Sequence, residues 1–268
     1  MNIILKATPF LRWVGGKTQL LPELKKHLPE QFKNYYEPFL GGGALFFEIA
    51  DEDKKAFLSD INPDLITTYR AVKNAPNTLI EKLKFHERYD SKSHFYFIRN
   101  LQNLIQEAVS RAARFIYLNK TCFRGMYREN KKGEFNNSYG NRKFNLNFQN
   151  LLNCSATLQN AKIERKDFER IRPKRNDFVY LDPPYHKEGS KSFTQYHKDD
   201  FTVKDHIRLK EFADKLSKKR VKWMISNSDT TFIRELYAEY KIYKVDVKRN
   251  FNPKRKNKHT TELIIKNY

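Results

Sequence analysis

The stretch that most constrains the fold is residues 178–185, an apolar run that stops abruptly at two prolines. Residues 178–181 are apolar and β-favouring without alternation, which is typical of a strand buried on both faces of an α/β sheet. Pro183 and Pro184 fix φ and lack backbone N–H groups, so neither a strand nor a helix can continue through them. The pattern therefore predicts a rigid corner at the carboxyl end of an interior strand, where open α/β sheets bind ligands.

The predicted corner brings together three chemical groups. Asp182 supplies a carboxylate, Pro183 a carbonyl oxygen and Tyr185 an aromatic ring. Acceptors for amino hydrogens beside a ring that can stack favour a planar ligand that carries an amino group. A plain turn is the alternative interpretation, because Asp before Pro is also a common way to begin a turn.

The overall charge indicates the class of partner. The chain has 268 residues and a formal net charge of +21. Such a basic excess suggests a polyanionic partner, although it says nothing about the fold. The two cysteines give neither a disulfide framework nor a metal-ligand pattern, so we expect reduced thiols and no metal site. Because there is no apolar stretch near 18 residues, we expect a cytoplasmic protein that does not enter the membrane.

Two glycine-rich turns precede the corner. Gly15-Gly16-Lys17 places a cation beside flexible backbone but lacks the full spacing of a phosphate loop. Residues 41–43 lead from an apolar stretch into a predicted helix, so their N–H groups can approach a ligand. Asp60 follows Gly42 by 18 positions, at which a carboxylate can reach a ribose in a βαβ unit. This favours a nucleoside-containing cofactor; a structural turn with Asp60 as a helix cap is the alternative.

A basic segment interrupts the helical pattern of residues 65–118. Residues 111–143 contain nine Lys or Arg against two Glu, a net charge of +7, interleaved with aromatic residues and glycines. A basic hairpin of this kind suits contacts to phosphates and base edges and an inserted ring. Residues 248–258 form a second basic stretch, predicted to be a flexible loop that contacts phosphates. For most of these residues a solvated charged loop is the alternative.

The chain returns to α/β character after residue 155. A short strand is predicted to end at Asp167-Phe168, and a buried strand covers residues 221–226. Two further strands near residues 242–247 and 262–265 would complete the sheet.

Together these motifs resemble the Dam-type DNA adenine-N6 methyltransferases, the D12 class with the α order of motifs, over nearly the whole chain. The resemblance implies an α/β, Rossmann-like S-adenosylmethionine-dependent methyltransferase sheet from residues 1–68 and 155–268. An inserted, mostly helical target-recognition domain at residues 69–154 would contain the basic hairpin. The motifs are Trp13 with Gly15-Gly16-Lys17, Glu37-Pro38-Phe39 with residues 41–43, Asp60-Ile61-Asn62, Gly133-Glu134-Phe135-Asn136, Asp182-Pro183-Pro184-Tyr185, and Ser226-Asn227.

The same resemblance implies S-adenosylmethionine as the cofactor. Trp13 and Lys17 would border it, and residues 37–43 would surround its amino-acid end. Asp60 would hold the ribose hydroxyls, and Asp167 with Phe168 the adenine. The predicted cofactor-binding residues are therefore Trp13, Lys17, Glu37, Gly41, Gly43, Asp60, Asp167, Phe168 and Asp182.

The predicted catalytic residues are Asp182, Pro183 and Tyr185. The adenine amine is a poor nucleophile because its lone pair is delocalised into the ring. Asp182 and the Pro183 carbonyl would each accept one N–H, which aims the lone pair at the methyl group. The base must leave the duplex to reach them, and Tyr185 would stack against it. By analogy with the amino-methyltransferase classes, Asp182 in place of serine favours adenine-N6 over cytosine-N4.

The recognition segment departs from relatives that methylate GATC. Those relatives usually carry Asn, Pro and Tyr where this chain has Arg124, Ser138 and Arg142, although Arg128 is shared, so the recognition sequence is left open. Arg124 and Arg128 are predicted to read guanine, and Phe123 to fill the stack when adenine leaves it. The alternative is that both arginines contact phosphate. The predicted DNA-binding residues are Arg12, Phe123, Arg124, Met126, Arg128, Ser138, Arg142, Lys254 and Arg255.

The leading functional hypothesis is a site-specific DNA adenine-N6 methyltransferase that acts on double-stranded DNA as a monomer. It would serve a restriction-modification system with a cognate restriction endonuclease, or act as an orphan enzyme. The alternatives are a cytosine-N4 or RNA methyltransferase and a non-catalytic DNA-binding module. The presence of Lys17, Asp60, Asp182 and Tyr185 argues against the last.

Overall fold

The computed structural model describes residues 6–13, 15–17, 19–130, 132–188, 201–249 and 258–268. Within these residues the chain forms nine α-helices and seven β-strands. The helices are α1 (Leu21–Lys26), α2 (Ala44–Ile49), α3 (Pro63–Asn74), α4 (Pro76–Arg88), α5 (Lys92–Asn100), α6 (Ala108–Thr121), α7 (Phe148–Thr157), α8 (Val203–Lys218) and α9 (Thr231–Leu236). The strands are β1 (Tyr35–Glu37), β2 (Ala56–Asp60), β3 (Ala161–Arg165), β4 (Phe178–Leu181), β5 (Lys222–Ser228), β6 (Lys241–Arg249) and β7 (Lys258–Lys266).

The strands form a seven-stranded sheet in the order β3-β2-β1-β4-β5-β7-β6. β1 pairs in parallel with β2 and β4, and β4 pairs in parallel with β5. β7 runs antiparallel to both β5 and β6. All four residues of β4 are buried, as the unbroken apolar run predicts for an interior strand. The mixed α/β sheet confirms the fold class expected from the sequence.

The chain divides into two compact units. The helical unit comprises Met1–Gly16, Gly41–Glu52 and Ser59–Arg165, and the sheet unit comprises Lys17–Leu40, Asp53–Leu58 and Lys166–Tyr268. This division follows packing. The assignment of residues 69–154 to DNA recognition and of the remainder to catalysis stays a prediction about roles.

The helical unit is built around α6. Nine of its fourteen residues are buried, and α3, α4 and α5 all pack against it. After α6 the chain doubles back, with antiparallel bridges between Cys122 and Tyr139 and between Glu129 and Phe135. Residues 122–139 of the basic segment therefore form the predicted hairpin, and the strand pairing described there consists of these isolated bridges. Arg111, Arg114 and Lys120 of the same segment lie instead in α6, so the prediction of a hairpin is wrong for them.

The core of the sheet unit lies where α8 and α9 cover β4 and β5. Trp223, Val179 and Leu181 are fully buried there, together with Leu209 of α8 and Ile233 of α9. Because β4 and β5 are parallel and Leu181 pairs with Ile225, their carboxyl ends meet at one edge of the sheet. This edge carries the corner at Asp182.

Candidate active site

Asp182 follows β4 directly and contacts two residues of the sheet unit. Its Oδ1 accepts a hydrogen bond from the Ser226 hydroxyl of β5 at 2.8 Å. Lys17 Nζ lies 2.8 Å from the same oxygen. Ser226 in turn lies 2.9 Å from the Tyr180 hydroxyl. The register of β4 and β5 thus supplies one partner of the carboxylate, and the residue after the first glycine turn supplies the other.

The environment of Asp182 changes its acidity. Burial raises the pKa of the carboxyl above its ordinary value. Lys17 and the Ser226 hydrogen bond oppose this shift, whereas the nearby Glu262 carboxylate adds to it. A higher pKa makes the ionised carboxylate a stronger base, while Lys17 and Ser226 stabilise its negative charge by hydrogen bonding.

Tyr185 is held from two directions. Its hydroxyl donates a hydrogen bond to Glu262 Oε2 at 2.6 Å, and Lys17 Nζ lies 4.6 Å from the centre of its ring. The next residue, His186, donates its backbone N–H to Asn227 Oδ1 at 3.2 Å. The structure therefore brings Lys17, Asp182, Tyr185 and Glu262 together.

Glu37 ends β1 and is buried, with 2% of its surface exposed. Its Oε2 accepts a hydrogen bond from the Tyr35 hydroxyl at 2.8 Å. Burial, with the neighbouring Glu37 carboxylate, raises the pKa of Tyr35 well above its ordinary value, so the phenol stays a hydrogen-bond donor. Glu37 is thus a fixed acceptor inside the sheet unit.

The helical unit holds the glycine turn. Gly41 donates its N–H to Asp60 Oδ2 at 3.1 Å, and Asn62 donates its N–H to Asp60 Oδ1 at 3.0 Å. Gly41 has φ +46°, and a Cβ added to it would lie 2.6 Å from Trp13 Cδ1. Only glycine fits there, because a side chain would be strained and would clash with the indole. Gly43, also at positive φ, begins α2.

Asp167 and Phe168 form a second group in the sheet unit. The predicted strand end at these residues is wrong, because β3 ends at Arg165 and the Asp167 carboxylate instead accepts the N–H of Glu169, beginning a short 3₁₀ turn. Arg208 of α8 donates to Asp167 at 3.1 Å. Its guanidinium also lies 4.6 Å from the centre of the Phe168 ring, which stacks on Phe39. A side-chain hydrogen bond outweighs the extended backbone preferred by the preceding strand.

The hairpin after α6 exposes Arg124 and Arg128, whereas Arg114, on α6 in the same basic segment, is buried. Phe123 is 46% exposed and Arg124, exposed beside it, has φ +58°. Arg128 donates to Asn136 Oδ1 at 2.8 Å, and Asn137 donates to the carbonyl oxygens of Phe123 and Met126. The remaining predicted contacts of this hairpin, Ser138 and Arg142, are exposed. Its outer face therefore presents side chains that can meet a polyanion.

Arg12 is anchored to the same hairpin through Asn119 of α6. Asn119 Oδ1 accepts the Arg12 N–H at 2.9 Å, and its Nδ2 donates to the Arg12 carbonyl at 2.7 Å. A Cβ added to Gly125 would lie 2.5 Å from Arg12 Cδ, so the arginine stem packs directly on this glycine. Lys254 and Arg255 lie outside the described residues.

Three residues make contacts that were not predicted from the sequence. Glu262 is an isolated acid beside the apolar run 263–265, a pattern that could have marked it as a buried functional group. Asn119 and Arg208 carry no such signal, because polar residues at helical spacing are usually solvated. In the described part of the chain, no group of three His, Cys, Asp or Glu side chains could hold a metal ion. The helices described there also lack the length and apolar character needed to cross a membrane.

Comparison with known proteins decides the family. The family model of the D12 class N6 adenine-specific DNA methyltransferases matches residues 13–251. The chain belongs to this family. The match includes the glycine turns, the hairpin and the corner, so the enzyme is an adenine-N6 DNA methyltransferase, and the cytosine and RNA alternatives are set aside.

Curated relatives agree with this assignment. The enzyme is 42% identical to the type II methyltransferase M.MjaIII of Methanocaldococcus jannaschii, over 98% of this chain and 100% of the relative. It is 38% identical to the type II methyltransferase M1.LlaDCHI of Lactococcus lactis subsp. cremoris, over 100% and 99%. It is 32% identical to the DNA adenine methylase of Escherichia coli K12, over 92% and 90%.

Proposed function

We propose that the enzyme takes its methyl group from S-adenosylmethionine and transfers it to N6 of an adenine rotated out of double-stranded DNA. The observation that carries this proposal is the contact between Lys17 and Asp182. An ammonium donates to the carboxylate at 2.8 Å while it lies 4.6 Å from the Tyr185 ring. The corner therefore already accepts an amine beside an aromatic ring, and an adenine amino group needs the same two partners.

The residues present fit the proposed cofactor. S-adenosylmethionine supplies an activated methyl group on a positively charged sulfonium. In the sheet unit, Glu37 is buried and Asp182 is mostly buried, and such acids favour a cationic ligand. In the helical unit, the Asp60 carboxylate accepts the backbone N–H groups of Gly41, Ile61 and Asn62. A carboxylate has about four lone-pair sites, so acceptor capacity remains for hydroxyl groups. Trp13 and Gly43 border this turn.

The proposed adenine-binding role of Asp167 and Phe168 is supported by the chemical character of their side chains more than by the surface that they expose. Asp167 has a carboxylate that can accept an amino hydrogen, but Arg208 already donates to it. Phe168 is only 2% exposed. We propose that both residues contact the cofactor's adenine at their edges, with Arg208 moving or sharing the Asp167 carboxylate.

The catalytic roles follow from hydrogen bonding. Asp182 and the Pro183 carbonyl each accept one amine N–H, which localises the lone pair on N6 and orients it. The nitrogen must lose a proton once it has gained a methyl group. The raised pKa of Asp182 makes its carboxylate a suitable acceptor for that proton. Tyr185 offers its ring as the stacking face for the rotated base.

DNA recognition is assigned to the exposed face of the hairpin. Arg124 and Arg128 are proposed to bind guanine edges, and the exposed Phe123 to occupy the space that adenine leaves. Arg12, Met126, Ser138 and Arg142 would contact the same duplex. Lys254 and Arg255 would add phosphate contacts, in line with the net charge of +21.

The biological setting is proposed from the relatives. Two of them are named type II methyltransferases, which favours a restriction-modification system with a cognate endonuclease over an orphan role. We propose a monomer that works in the cytoplasm, where duplex DNA and the cofactor are available.

Nucleoside analysis tests the proposed chemistry. The purified chain is incubated with duplex DNA and methyl-labelled S-adenosylmethionine, and the digested nucleosides are separated by mass spectrometry. We expect label in N6-methyldeoxyadenosine, with none in cytosine and none in an RNA of the same sequence. Label confined to cytosine or to RNA would contradict the proposal. Single-molecule sequencing of the same DNA then identifies the recognition sequence.

A further inference from the structure

Glu262 has no role in the motifs that define the family resemblance, yet it contacts the catalytic corner. It lies on β7 opposite Ser228 of β5, and only 3% of its surface is exposed. Leu263, Ile264 and Ile265, the three residues that follow it, are fully buried. Placing a carboxylate in such a strand costs free energy unless it is hydrogen-bonded. The buried Glu262 carboxylate therefore needs a specific hydrogen-bond donor.

The Tyr185 hydroxyl is such a partner, at 2.6 Å from Glu262 Oε2. This distance is typical of a charge-assisted bond from a hydroxyl to a carboxylate. The bond acts at the far end of the ring from Cβ, where it restrains both the direction of the side chain and the tilt of the ring. The backbone next to Tyr185 is also held, because His186 donates its N–H to Asn227 Oδ1 at 3.2 Å.

We propose that Glu262 is a positioning residue that fixes the Tyr185 ring as the stacking face for the rotated adenine. This inference rests on the proposed function, because it deepens the role of Tyr185. Glu262 touches neither the base nor the cofactor in this account and acts through the tyrosine. The antiparallel pairing of β5 with β7 connects it to the strand that bears Ser226, so one sheet edge orients both Asp182 and Tyr185.

The proton on the Tyr185 hydroxyl agrees with this geometry. Burial and the Asp182 and Glu262 carboxylates raise the pKa of Tyr185 well above its ordinary value. The phenol therefore remains protonated and donates to Glu262 throughout the working pH range. Glutamine can accept the same hydrogen bond without a charge, whereas alanine cannot accept it at all. The two substitutions separate loss of the bond from loss of the charge.

The test compares Glu262→Ala, Glu262→Gln and Tyr185→Phe with the unaltered enzyme. We expect Glu262→Ala to lower kcat by about tenfold or more, with the Kd for S-adenosylmethionine changed by less than about threefold. Glu262→Gln should restore kcat to within about threefold of the unaltered enzyme, because its amide keeps the acceptor. The matched control is Asp246→Ala, which removes an exposed carboxylate from β6, the strand that pairs with β7. It should leave both kcat and the Kd for S-adenosylmethionine unchanged.

A double-substitution cycle and a spectroscopic signal distinguish positioning from a general structural effect. In the Tyr185→Phe background, Glu262→Ala should change kcat by less than about twofold, because the two residues act through one bond. With 2-aminopurine at the target position, Glu262→Ala should alter the fluorescence of the DNA complex, since the ring on which the flipped base stacks is no longer held. Glu262→Gln should reproduce the unaltered signal.

The results that overturn the inference differ from those that overturn the proposed function. Equal loss of kcat from Glu262→Ala in both backgrounds, or no loss in either, would show that Glu262 does not act through Tyr185. If Glu262→Ala fails to fold, Tyr185→Phe removes the same bond from the other side. A Tyr185→Phe enzyme with unaltered kcat would then refute the inference. Failure of the unaltered enzyme to methylate DNA would instead refute the proposed function.

Discussion

Lys17 Nζ lies 2.8 Å from Asp182 Oδ1, with only 7% and 19% of the two side chains exposed. Because the pair is largely removed from water, the attraction between its two charges is weakly screened. Lys17 is the largest of the influences that oppose the effect of burial on the Asp182 pKa. Lys17 therefore favours the ionised form of the Asp182 carboxylate.

Removing this charge should change the pH dependence of catalysis. The proposed mechanism requires ionised Asp182, so kcat should fall as the pH drops through the Asp182 pKa. In Lys17→Met that pKa rises further, so the acid limb of the kcat profile should move to higher pH. The measurement is single-turnover methyl transfer from pH 5 to 9 at saturating DNA and cofactor.

Two variants control this prediction. Lys17→Arg keeps a cation, and its acid limb should stay near that of the unaltered enzyme. Lys26→Met removes the α1 lysine that pairs with the exposed Glu23, and it should have no effect. An unmoved acid limb in Lys17→Met would show that Lys17 does not control the ionisation of Asp182.

Asn119 should matter far more than a similar asparagine nearby. It binds both the N–H and the carbonyl of Arg12 from a fully buried position on α6. Asn119→Ala leaves buried backbone groups without these bonds, so it should lower the free energy of unfolding by about 1–3 kcal/mol. It should also reduce discrimination between sites, because Arg12 and Gly125 lose their shared support. Denaturant unfolding and methylation of single-base variants of the site measure the two effects.

Asn150 provides the matched control. From a half-buried position on α7 it makes the same pair of bonds to the backbone of the exposed Thr8, at 2.9 Å each, and these bonds are open to solvent. Water can replace its bonds, so Asn150→Ala should cost less than about 1 kcal/mol and leave site discrimination unchanged. Equal effects of the two substitutions would contradict the role given to Asn119.

Arg128 tests base reading against phosphate binding. Loss of a bidentate contact to guanine removes about 1–3 kcal/mol of discrimination, so Arg128→Ala should raise methylation of sites altered at one position relative to the intended site. Lys132→Ala, an exposed basic residue of the same hairpin, should slow all sites alike. If Arg128→Ala also slows every site by the same factor, Arg128 contacts phosphate.

His206 should make stability depend on pH. It is 1% exposed between Phe201 and Phe232, and burial lowers its pKa to about 4. The unfolded chain therefore binds a proton that the folded chain does not between roughly pH 6.5 and 4. The stabilising contribution is complete above about pH 6.5 and falls with the pH, by at most about 1.4 kcal/mol per unit for this residue.

Replacing His206 should reduce this dependence. His206→Phe keeps a ring of similar shape and removes the titrating group, so stability at pH 7 should be retained and its loss toward pH 4 should be shallower. Burial also lowers the pKa of His86 to about 4, so part of the pH dependence of stability should remain in His206→Phe. Denaturant unfolding at pH 7, 5.5 and 4.5 measures the difference. An unchanged slope would show that His206 is not the titrating group.

The sequence predicts the parts of the fold that depend on local pattern. The apolar run at β4 and the two prolines after it indicate both the buried strand and the corner, because burial and proline geometry act within a few residues. The glycine turn at residues 41–43 can be predicted for the same reason, since the positive φ of Gly41 requires glycine at that position. Asp182 and Tyr185 could be identified in this way.

Contacts between distant segments could not be predicted. Glu262 meets Tyr185 across 77 positions because β7 returns antiparallel to β5, and periodicity does not specify strand order. The end of β3 was also misplaced, since the Asp167 side chain begins a turn two residues after the strand. Asn119 lies on a helix in which polar and apolar residues are both buried, so the helical pattern gives no sign of its role.

The most direct test of the account is the rate of methyl transfer by Asp182→Ala. The proposed mechanism assigns both the orientation and the deprotonation of the amine to the Asp182 carboxylate. The measurement is a single turnover at saturating DNA and S-adenosylmethionine, with thermal unfolding to confirm that the variant is folded. The account predicts a rate below about a tenth of that of the unaltered enzyme, since removing one such electrostatic contact typically costs about a hundredfold or more. A folded Asp182→Ala enzyme that retains a tenth of the rate or more would contradict it.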